Sequence, residues 1–175
     1  VPDAAPAHVD HRLAALAAWR NGDLDEAARR IDAAVAAQPP LAGEVDGEAF
    51  TAWRDLDDLL GSVCEVFSGG RYLWLPWEDI RELEVSPPTR LPDLVWLPAR
   101  ITTRDGEEIA AHLPTRYHGC ADWTDASLQL GRGTEWIGEP GLQRGAGLRL
   151  LAWADAAGEV HERPLPELRR FAVTG

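Results

Sequence analysis

The spacing of apolar residues changes at Gly61, and this change constrains the fold more than any other feature of the sequence. Before Gly61 apolar residues recur every three to four positions, the helical period, and after it they recur at roughly every second position, the period of a strand. Glycine-containing turns separate the strand-like segments at residues 68–70, 104–106 and 155–158. Hairpins in series predict antiparallel β structure. The sequence therefore predicts an α+β fold, with helices first and a small antiparallel β sheet or barrel with short helices second.

Residues 8–38 are rich in alanine and predict two helices that are separated by Asn21 and Gly22. Asp23 can cap the second helix, and Pro39 with Pro40 ends it. The pattern is typical of a tetratricopeptide-like hairpin, in which small residues allow close packing of the two helices. The matching residues are Gly22, Leu24, Ala27, Ile31, Ala34, Val35 and Pro39. Because one such repeat cannot bury its faces alone, we expect either further repeats before it or packing against the domain that follows.

These two patterns divide the chain into two predicted domains. Residues 1–40 are predicted to be the helical repeat, as the end of a longer helical region, and residues 41–175 the α+β domain. Within the second domain, residues 41–47 are predicted to be a linker, and short helices are predicted over residues 48–60 and 123–130. The sequence contains no methionine, even at position 1. We therefore expect the chain to begin inside a longer protein.

The overall composition excludes several classes of partner. The formal net charge is -12, and an acidic surface repels phosphate backbones, so no nucleic acid is expected. No apolar run approaches the roughly 18 residues that a membrane helix needs, and the start of the chain lacks a signal-peptide pattern. The chain is therefore predicted to be cytoplasmic and to bind no membrane. Cys64 and Cys120 do not make a disulfide framework and are predicted to be reduced thiols.

Residue types that perform catalysis or bind metals are present, but they do not form a recognisable pattern. His8 and His11 lie three positions apart, whereas structural zinc requires four ligands. His112 and Cys120 lack the sequence context of a catalytic pair. No glycine-rich phosphate loop and no nucleophile elbow occur. We therefore predict no catalytic residues, no metal and no cofactor, and a protein that is not an enzyme.

Five blocks of sequence in a fixed order between Glu65 and Arg149 are more specific. The blocks are residues 65–78 (EVFSGGRYLWLPWE), 93–100 (DLVWLPAR), 114–119 (PTRYHG), 130–136 (LGRGTEW) and 145–149 (GAGLR). Together they resemble the ImpE family, also called TagJ, whose members are accessory proteins of bacterial type VI secretion. The predicted helical hairpin agrees with the resemblance, because the family carries helical repeats ahead of this domain.

The resemblance implies a non-enzymatic adaptor that binds the small subunit of the contractile sheath. The implied contact is with the N-terminal helix of that subunit, and the implied effect is on handling of the sheath by the disassembly ATPase. Helical repeats commonly hold a helix or peptide in a concave groove, which makes this mechanism physically reasonable. Two alternatives stay open. One is a peptide- or protein-binding module unrelated to secretion, and the other is an enzyme with an unrecognised site near Arg116 to Cys120.

Aromatic and arginine side chains are the candidates for contact with a partner, because these types dominate protein interfaces. Tryptophans in or beside predicted strands are expected to pack in the core, with an exposed aromatic patch as the alternative. These tryptophans are Trp74, Trp77, Trp96, Trp136 and Trp153. Arginines in the family-like blocks can pair with internal carboxylates or contact a partner. The candidate partner-binding residues are Trp19, Trp53, Arg71, Tyr72, Trp77, Arg100, Arg116 and Tyr117.

Overall fold

The chain begins with a pair of packed helices. A computed structural model describes residues 5–119 and 123–174, and in it α1 (Ala7–Arg20) and α2 (Leu24–Ala37) form a hairpin. Gly22 takes a φ of +79° in the turn between them, a conformation that glycine adopts without steric cost. The side chain of Asp23 then caps α2 by accepting a hydrogen bond from the Glu26 N–H at 3.0 Å. Two helices are therefore present where the sequence predicts them.

The rest of the described chain is predominantly strand. Its thirteen strands, counted over residues 5–119 and 123–174, are β1 (Gly43–Val45), β2 (Glu48–Phe50), β3 (Ala52–Asp55), β4 (Val63–Ser68), β5 (Arg71–Pro76), β6 (Ile80–Val85), β7 (Trp96–Thr103), β8 (Glu108–Pro114), β9 (Thr134–Ile137), β10 (Arg144–Gly147), β11 (Leu150–Ala154), β12 (Val160–Pro164) and β13 (Arg170–Val173). A short helix, α3 (Ala126–Gln129), precedes β9, and 3₁₀ turns occur at Trp77–Asp79, Leu91–Leu94 and Leu165–Glu167. Among the helices of the described residues, none combines the length and apolarity that crossing a bilayer requires.

The strands assemble into antiparallel sheets. In the described part of the chain, an eight-stranded sheet has the order β2-β1-β13-β6-β7-β8-β4-β5, a three-stranded sheet has the order β12-β11-β3, and β9 pairs with β10. The predicted hairpins β4–β5, β7–β8 and β11–β12 are all present. In the first of these turns Gly69 and Gly70 both have positive φ angles, which explains why the tight turn needs glycine.

The predicted α+β fold class is wrong, because the described residues are mostly β structure. In place of the expected small sheet or barrel, they form one sheet of eight strands and two smaller sheets. The largest difference lies in residues 48–60, where the apolar pattern predicts a helix and the structure has β2, β3 and a turn. Along this segment Trp53, Asp55 and Asp57 are all buried, so alternate residues face inward. Because two of the three are carboxylates, the strand period is not visible in the pattern of apolar residues.

Two smaller differences concern the predicted linker and the predicted second short helix. The linker, residues 41–47, contains β1, which pairs with both β2 and β13. The helix predicted over residues 123–130 is reduced to α3, whose first turn is capped by the Asp125 carboxylate accepting from the Ser127 N–H at 2.7 Å. The division into domains after residue 40 falls between α2 and β1 and stays a prediction.

An aromatic core holds the eight-stranded and three-stranded sheets together. The Trp53 ring of β3 lies with its centroid 4.8 Å from that of Phe171 in β13 and 5.3 Å from that of Trp77. Phe50 stacks on Phe171 at 5.4 Å, and Trp153 stacks on Trp53 at 6.2 Å. Aromatic side chains remove a large apolar area from water and dominate the energetics of small cores. This core fixes β3 beside β4.

Candidate partner-binding cleft

A cleft of about 720 Å³ opens between the end of α1, the β4–β5 hairpin and the segment that follows β8. Its lining includes six aromatic side chains, and we call it the aromatic cleft. These are Trp19, Phe67, Tyr72, Trp74, Trp96 and Tyr117. Trp19, Tyr72 and Trp96 keep 39%, 48% and 41% of their surface exposed. Large aromatic side chains left exposed around one concave surface are typical of a site that binds another molecule.

The β4–β5 hairpin and the start of β7 build one wall of the cleft. Phe67 pairs with Tyr72 across the hairpin, and its ring centroid lies 5.1 Å from that of Tyr72 and 4.7 Å from that of Trp96. Tyr72 and Trp74 are two residues apart on β5, so they lie on the same side of the strand. The Trp74 Nε1–H donates to the Tyr72 hydroxyl, and that hydroxyl donates to Glu65. The aromatic wall is therefore supported by hydrogen bonds as well as by ring contacts.

Trp19, near the end of α1, forms the opposite wall. The guanidinium of Arg144 lies 4.7 Å from the centre of the Trp19 ring, a cation–π distance. Arg144 Nε also donates to Asp57 Oδ2 at 2.8 Å, and Asp57 is fully buried. The buried carboxylate thus fixes the arginine, and the arginine orients the tryptophan.

The floor of the cleft rests on a buried network of charged groups. The guanidinium of Arg149, itself buried, donates to Glu65 Oε2 and lies 3.6 Å from Asp55 Oδ2. Tyr117 lies under the same guanidinium, with 5.4 Å between the guanidinium carbon and the ring centre. Its hydroxyl donates to Asp55 Oδ1 at 2.9 Å. Buried charges are tolerated when they are paired and hydrogen-bonded in this way.

The network shifts the pKa values of its members in opposite directions. Burial raises the pKa of Asp55 to about 7, although the positive charge of Arg149 opposes the shift. Burial also acts to raise the pKa of Glu65, but the charge and hydrogen bond of Arg149, with those of Tyr72 and Trp74, hold that pKa below its ordinary value. Burial acts to lower the pKa of Arg149, and the charges of Glu65 and Asp55 raise it overall. The shifts therefore favour the charged forms of Arg149 and Glu65, whereas the raised pKa of Asp55 favours its protonated form more than in an exposed carboxyl group.

Ser62, His8 and Glu78 form a hydrogen-bonded chain with the residue types of a hydrolytic triad. His8 Nδ1 lies 2.8 Å from Ser62 Oγ, and His8 Nε2 contacts Glu78 Oε1. However, His8 and Ser62 are 1% and 0% exposed, and Ser62 Oγ accepts a hydrogen bond from Arg12 Nε at 2.6 Å. A substrate cannot reach this hydroxyl. The chain of contacts instead fastens α1 to the start of β4 and to the 3₁₀ turn after β5.

A second group of polar residues has the types and spacing of a metal site. Within the described ranges, the ligand atoms of Asp155, Glu159 and His161 lie within 4.8 Å of one another. The Asp155 Oδ1 atom, however, accepts from the backbone N–H groups of Ala157 and Glu159 at 2.8 and 2.9 Å. These hydrogen bonds stabilise the β11–β12 turn, which accounts for the position of Asp155. In addition, three ligands are fewer than the four of a structural zinc site.

The structure brings together half of the residues that the sequence nominates for partner contact. Trp19, Tyr72, Arg116 and Tyr117 all line the aromatic cleft. The other four lie elsewhere. Sequence reasoning missed further lining residues, including Leu16, Arg20, Phe67 and Arg144, and it gave Trp74 and Trp96 a place in an exposed aromatic patch only as the alternative to the core. The position of Trp74 two residues after Tyr72 is a local signal that could have identified it, because both lie on one side of a strand.

Four nominated residues lie outside the cleft. Trp53 and Trp77 are 3% and 2% exposed, because their rings form the aromatic core. Trp53 also lines a separate cavity of about 270 Å³. Arg71 is exposed beside the β4–β5 turn. Arg100 is exposed on β7 and pairs with Glu84 at 3.4 Å.

The predicted alternative of an enzyme site near residues 116–120 is only partly covered by the described residues. Arg116 Nη1 donates to the Gln129 backbone oxygen, and the Tyr117 hydroxyl is bonded to Asp55. Cys120 lies outside the described residues. His112, the other member of the predicted cysteine–histidine pair, is exposed on β8.

Comparison with known proteins identifies relatives over most of the chain. A family model described as ImpE protein matches residues 47–164. The chain is 45% identical over 114 residues to the type VI secretion system accessory component TagJ of Pseudomonas aeruginosa, a match that covers 64% of this chain and 40% of that protein. Its fold is similar to the X-ray structure of protein VPA1032 from Vibrio parahaemolyticus, with a TM-score of 0.84 and 22% identity over 96% of this chain and 61% of that one. The chain therefore spans less than two thirds of the length of each of these two proteins.

Proposed function

The chain belongs to the ImpE family, and we propose that it is an accessory component of type VI secretion that acts by binding a protein partner in the aromatic cleft. The relative from Pseudomonas aeruginosa is described as a type VI secretion system accessory component. The segment that matches the ImpE family model, residues 47–164, contains most of the residues that line the cleft. The observation that carries the proposal is the convergence of three exposed aromatic side chains, Trp19, Tyr72 and Trp96, on one concave surface. Tryptophan and tyrosine supply a large share of the energy at protein interfaces.

The partner that we infer is the N-terminal helix of the small contractile-sheath subunit, and the inferred place of action is the bacterial cytoplasm. An amphipathic helix places apolar side chains at positions i, i+3, i+4 and i+7, and it binds by laying them into an apolar groove. The aromatic cleft offers such a groove, with Leu16 and Leu59 on the side of α1 and aromatic rings on the side of the sheet. By occupying that helix, the protein would act on how the sheath is presented to its disassembly ATPase.

The test is calorimetry between this chain and a peptide of the N-terminal helix of the small sheath subunit from the same bacterium. We expect saturable binding with a micromolar or lower dissociation constant. Trp96→Ala should weaken binding by about tenfold or more, because truncation of an interface tryptophan commonly costs more than about 1.4 kcal/mol. Leu24→Ala is the control, since Leu24 is a large apolar side chain that is 54% exposed and does not line the cleft.

Two results would count against the proposal in different ways. If the peptide fails to bind both this chain and a longer protein that includes preceding helical repeats, the sheath subunit is not the partner. If the peptide binds equally well to the Trp96→Ala variant and to the unchanged protein, the partner binds but not in the aromatic cleft.

A further inference from the structure

The charge of the aromatic cleft is opposite in sign to the charge of the whole chain. The chain has 29 acidic and 17 basic residues, and its net charge is -12. Among the described residues that line the cleft, Arg20, Arg116 and Arg144 are basic and Glu65 is acidic. This concave aromatic surface of an acidic protein is thus lined by more arginine than carboxylate side chains.

The contacts inside the cleft show which of these charges are already compensated. Glu65 is already neutralised, because it is paired with the buried Arg149. Arg144 is neutralised in turn by the buried Asp57, at 2.8 Å. The two remaining charges, on Arg20 and Arg116, have no carboxylate partner among the residues that the structure describes, and Arg116 donates only to a backbone oxygen, that of Gln129. The cleft therefore presents two uncompensated positive charges beside its aromatic rings.

The position of these two arginines suits them to contact a bound molecule. Arg20 is the last residue of α1 and is exposed, so it is held at the rim by the helix. The Arg116 side chain packs against Gly131, where a Cβ would lie 2.9 Å from the arginine Cγ, and its stem is thereby held in place. A guanidinium that is held at the edge of an apolar groove can form two parallel hydrogen bonds with a carboxylate.

We propose that the cleft selects an acidic amphipathic helix, whose apolar face packs on the aromatic rings and whose flanking aspartate or glutamate side chains pair with Arg20 and Arg116. This inference rests on the proposed function, because it specifies the chemistry of the partner in the same cleft. The selection runs against the net charge of the protein. A chain with an excess of acidic residues repels an acidic peptide at long range and attracts a basic one, so a preference for the acidic helix must arise at the site itself.

The test compares two synthetic helices of the same length with an identical leucine- and tryptophan-containing apolar face. One carries glutamate on its polar face, and the other carries lysine. We expect the glutamate helix to bind at least about tenfold more tightly by fluorescence anisotropy, and its binding to weaken as the salt concentration rises from about 50 to about 500 mM because partly exposed ion pairs are screened. Equal binding, or tighter binding of the lysine helix, would overturn the proposal.

Substitutions then locate the preference. Arg20→Gln should reduce binding of the glutamate helix several-fold and leave binding of the lysine helix unchanged or improved. Arg116→Gln should likewise weaken binding of the glutamate helix. Because Arg116 also donates to the Gln129 backbone oxygen, this substitution can loosen the fold, and Arg20→Gln then provides the test on its own. The matched control is Arg81→Gln, because Arg81 is exposed on β6 and outside the cleft. A preference that survives both cleft substitutions would overturn the proposal.

The same variants separate this proposal from the proposed function. If the sheath peptide binds and neither Arg20→Gln nor Arg116→Gln changes its affinity, the charge selection is wrong and the adaptor function stands. If the sheath peptide does not bind while the glutamate helix binds and Arg20→Gln weakens that binding, the proposed sheath partner is wrong and the proposed charge selection stands.

Discussion

The hydroxyl of Tyr117 lies 2.9 Å from Oδ1 of the buried Asp55, and this contact joins the lining of the aromatic cleft to the interior of the protein. The same hydroxyl accepts a hydrogen bond from the Leu150 N–H at 3.1 Å. The Tyr117 ring fits because position 145 is glycine, where any Cβ would overlap the ring carbons. The cleft is thus held by buried polar contacts and by one close approach of the backbone, which explains how an open aromatic surface keeps its shape.

Tyr117→Phe removes this hydroxyl and tests its contribution to stability. Asp55 and the Leu150 N–H each lose a hydrogen-bond partner in a buried position, where loss of a partner costs about 1–3 kcal/mol. We expect the free energy of unfolding, measured by urea denaturation, to fall by that amount. Tyr72→Phe is the comparison, because Tyr72 is 48% exposed and Glu65, which accepts from its hydroxyl, keeps its ion pair with Arg149, so its loss should be smaller. Equal losses for the two variants would contradict the role assigned to Tyr117.

The proton on Asp55 predicts how stability depends on pH. Burial raises the pKa of Asp55 to about 7 in the folded protein from an ordinary value of 3.8, so the folded state keeps a proton that the unfolded chain loses. The resulting stabilisation is complete below about pH 4, declines as the pH rises, and is lost above about pH 7. Asp55→Asn cannot titrate at this position. We therefore expect the free energy of unfolding of the unchanged protein, relative to that of the variant, to fall from about pH 4 to pH 7 by at most about 1.4 kcal/mol per pH unit.

Urea denaturation of both proteins at several pH values provides this comparison. Taking the difference removes the contributions of the other carboxylates, which titrate in both proteins. A difference that stays flat between about pH 4 and pH 7, or rises, would show that Asp55 is ionised throughout.

Gly61 and Arg12 define the contact between the helical hairpin and the sheets. A Cβ at position 61 would lie 2.5 Å from Arg12 Nη2 and 2.7 Å from Nη1, so Gly61→Ala must displace the guanidinium that donates to Ser62. We expect a loss of about 1–3 kcal/mol in the free energy of unfolding, the usual cost of overpacking a buried site. Gly133→Ala is the control, because a Cβ at position 133 would lie no closer than 3.8 Å to its nearest neighbour, Ser127 Oγ, which is an ordinary contact distance.

A double-mutant cycle shows whether the cost comes from this contact. With Arg12→Ala already present, Gly61→Ala should cost less than it does alone, because the clashing atoms are gone. Losses that simply add would place the effect of Gly61→Ala somewhere other than its contact with Arg12.

Local features of the sequence predict the helices and the hairpins because each depends on nearby residues. Gly22 and Asp23 end one helix and start the next, and the turn at Gly69 and Gly70 fixes the β4–β5 pairing. The pairing of β1 with β13, and of β3 with β11, joins residues more than ninety positions apart. No local signal specifies such partners, so the size of the sheet could not be predicted from spacing alone.

The candidate site shows the same limit. Tyr72, Arg116 and Tyr117 fall in sequence blocks that resemble a family and are nominated. Phe67 lies in the first of the same blocks and Arg144 directly precedes the last, but their place in the cleft became recognisable only when the fold set them beside the nominated residues. The pattern of alternating residues in a strand predicts which side chains share a face, but it does not predict which face another element covers.

Trp53 and Trp96 show that burial is hard to predict from the sequence. Sequence reasoning expects Trp96 in the core and nominates Trp53 as a partner contact. The structure places them the other way round. Trp53 packs against Phe171 and Trp77, so Trp53→Ala should lower the free energy of unfolding by about 3–5 kcal/mol. Trp96 is exposed and contacts Phe67 by one edge, so Trp96→Ala should lower it by less than about 1 kcal/mol while weakening partner binding. Urea denaturation measures both losses. A large loss in the free energy of unfolding for Trp96→Ala would mean that the Trp96 ring stabilises the fold. The exposed aromatic rings would then no longer support the assignment of the cleft as a binding surface.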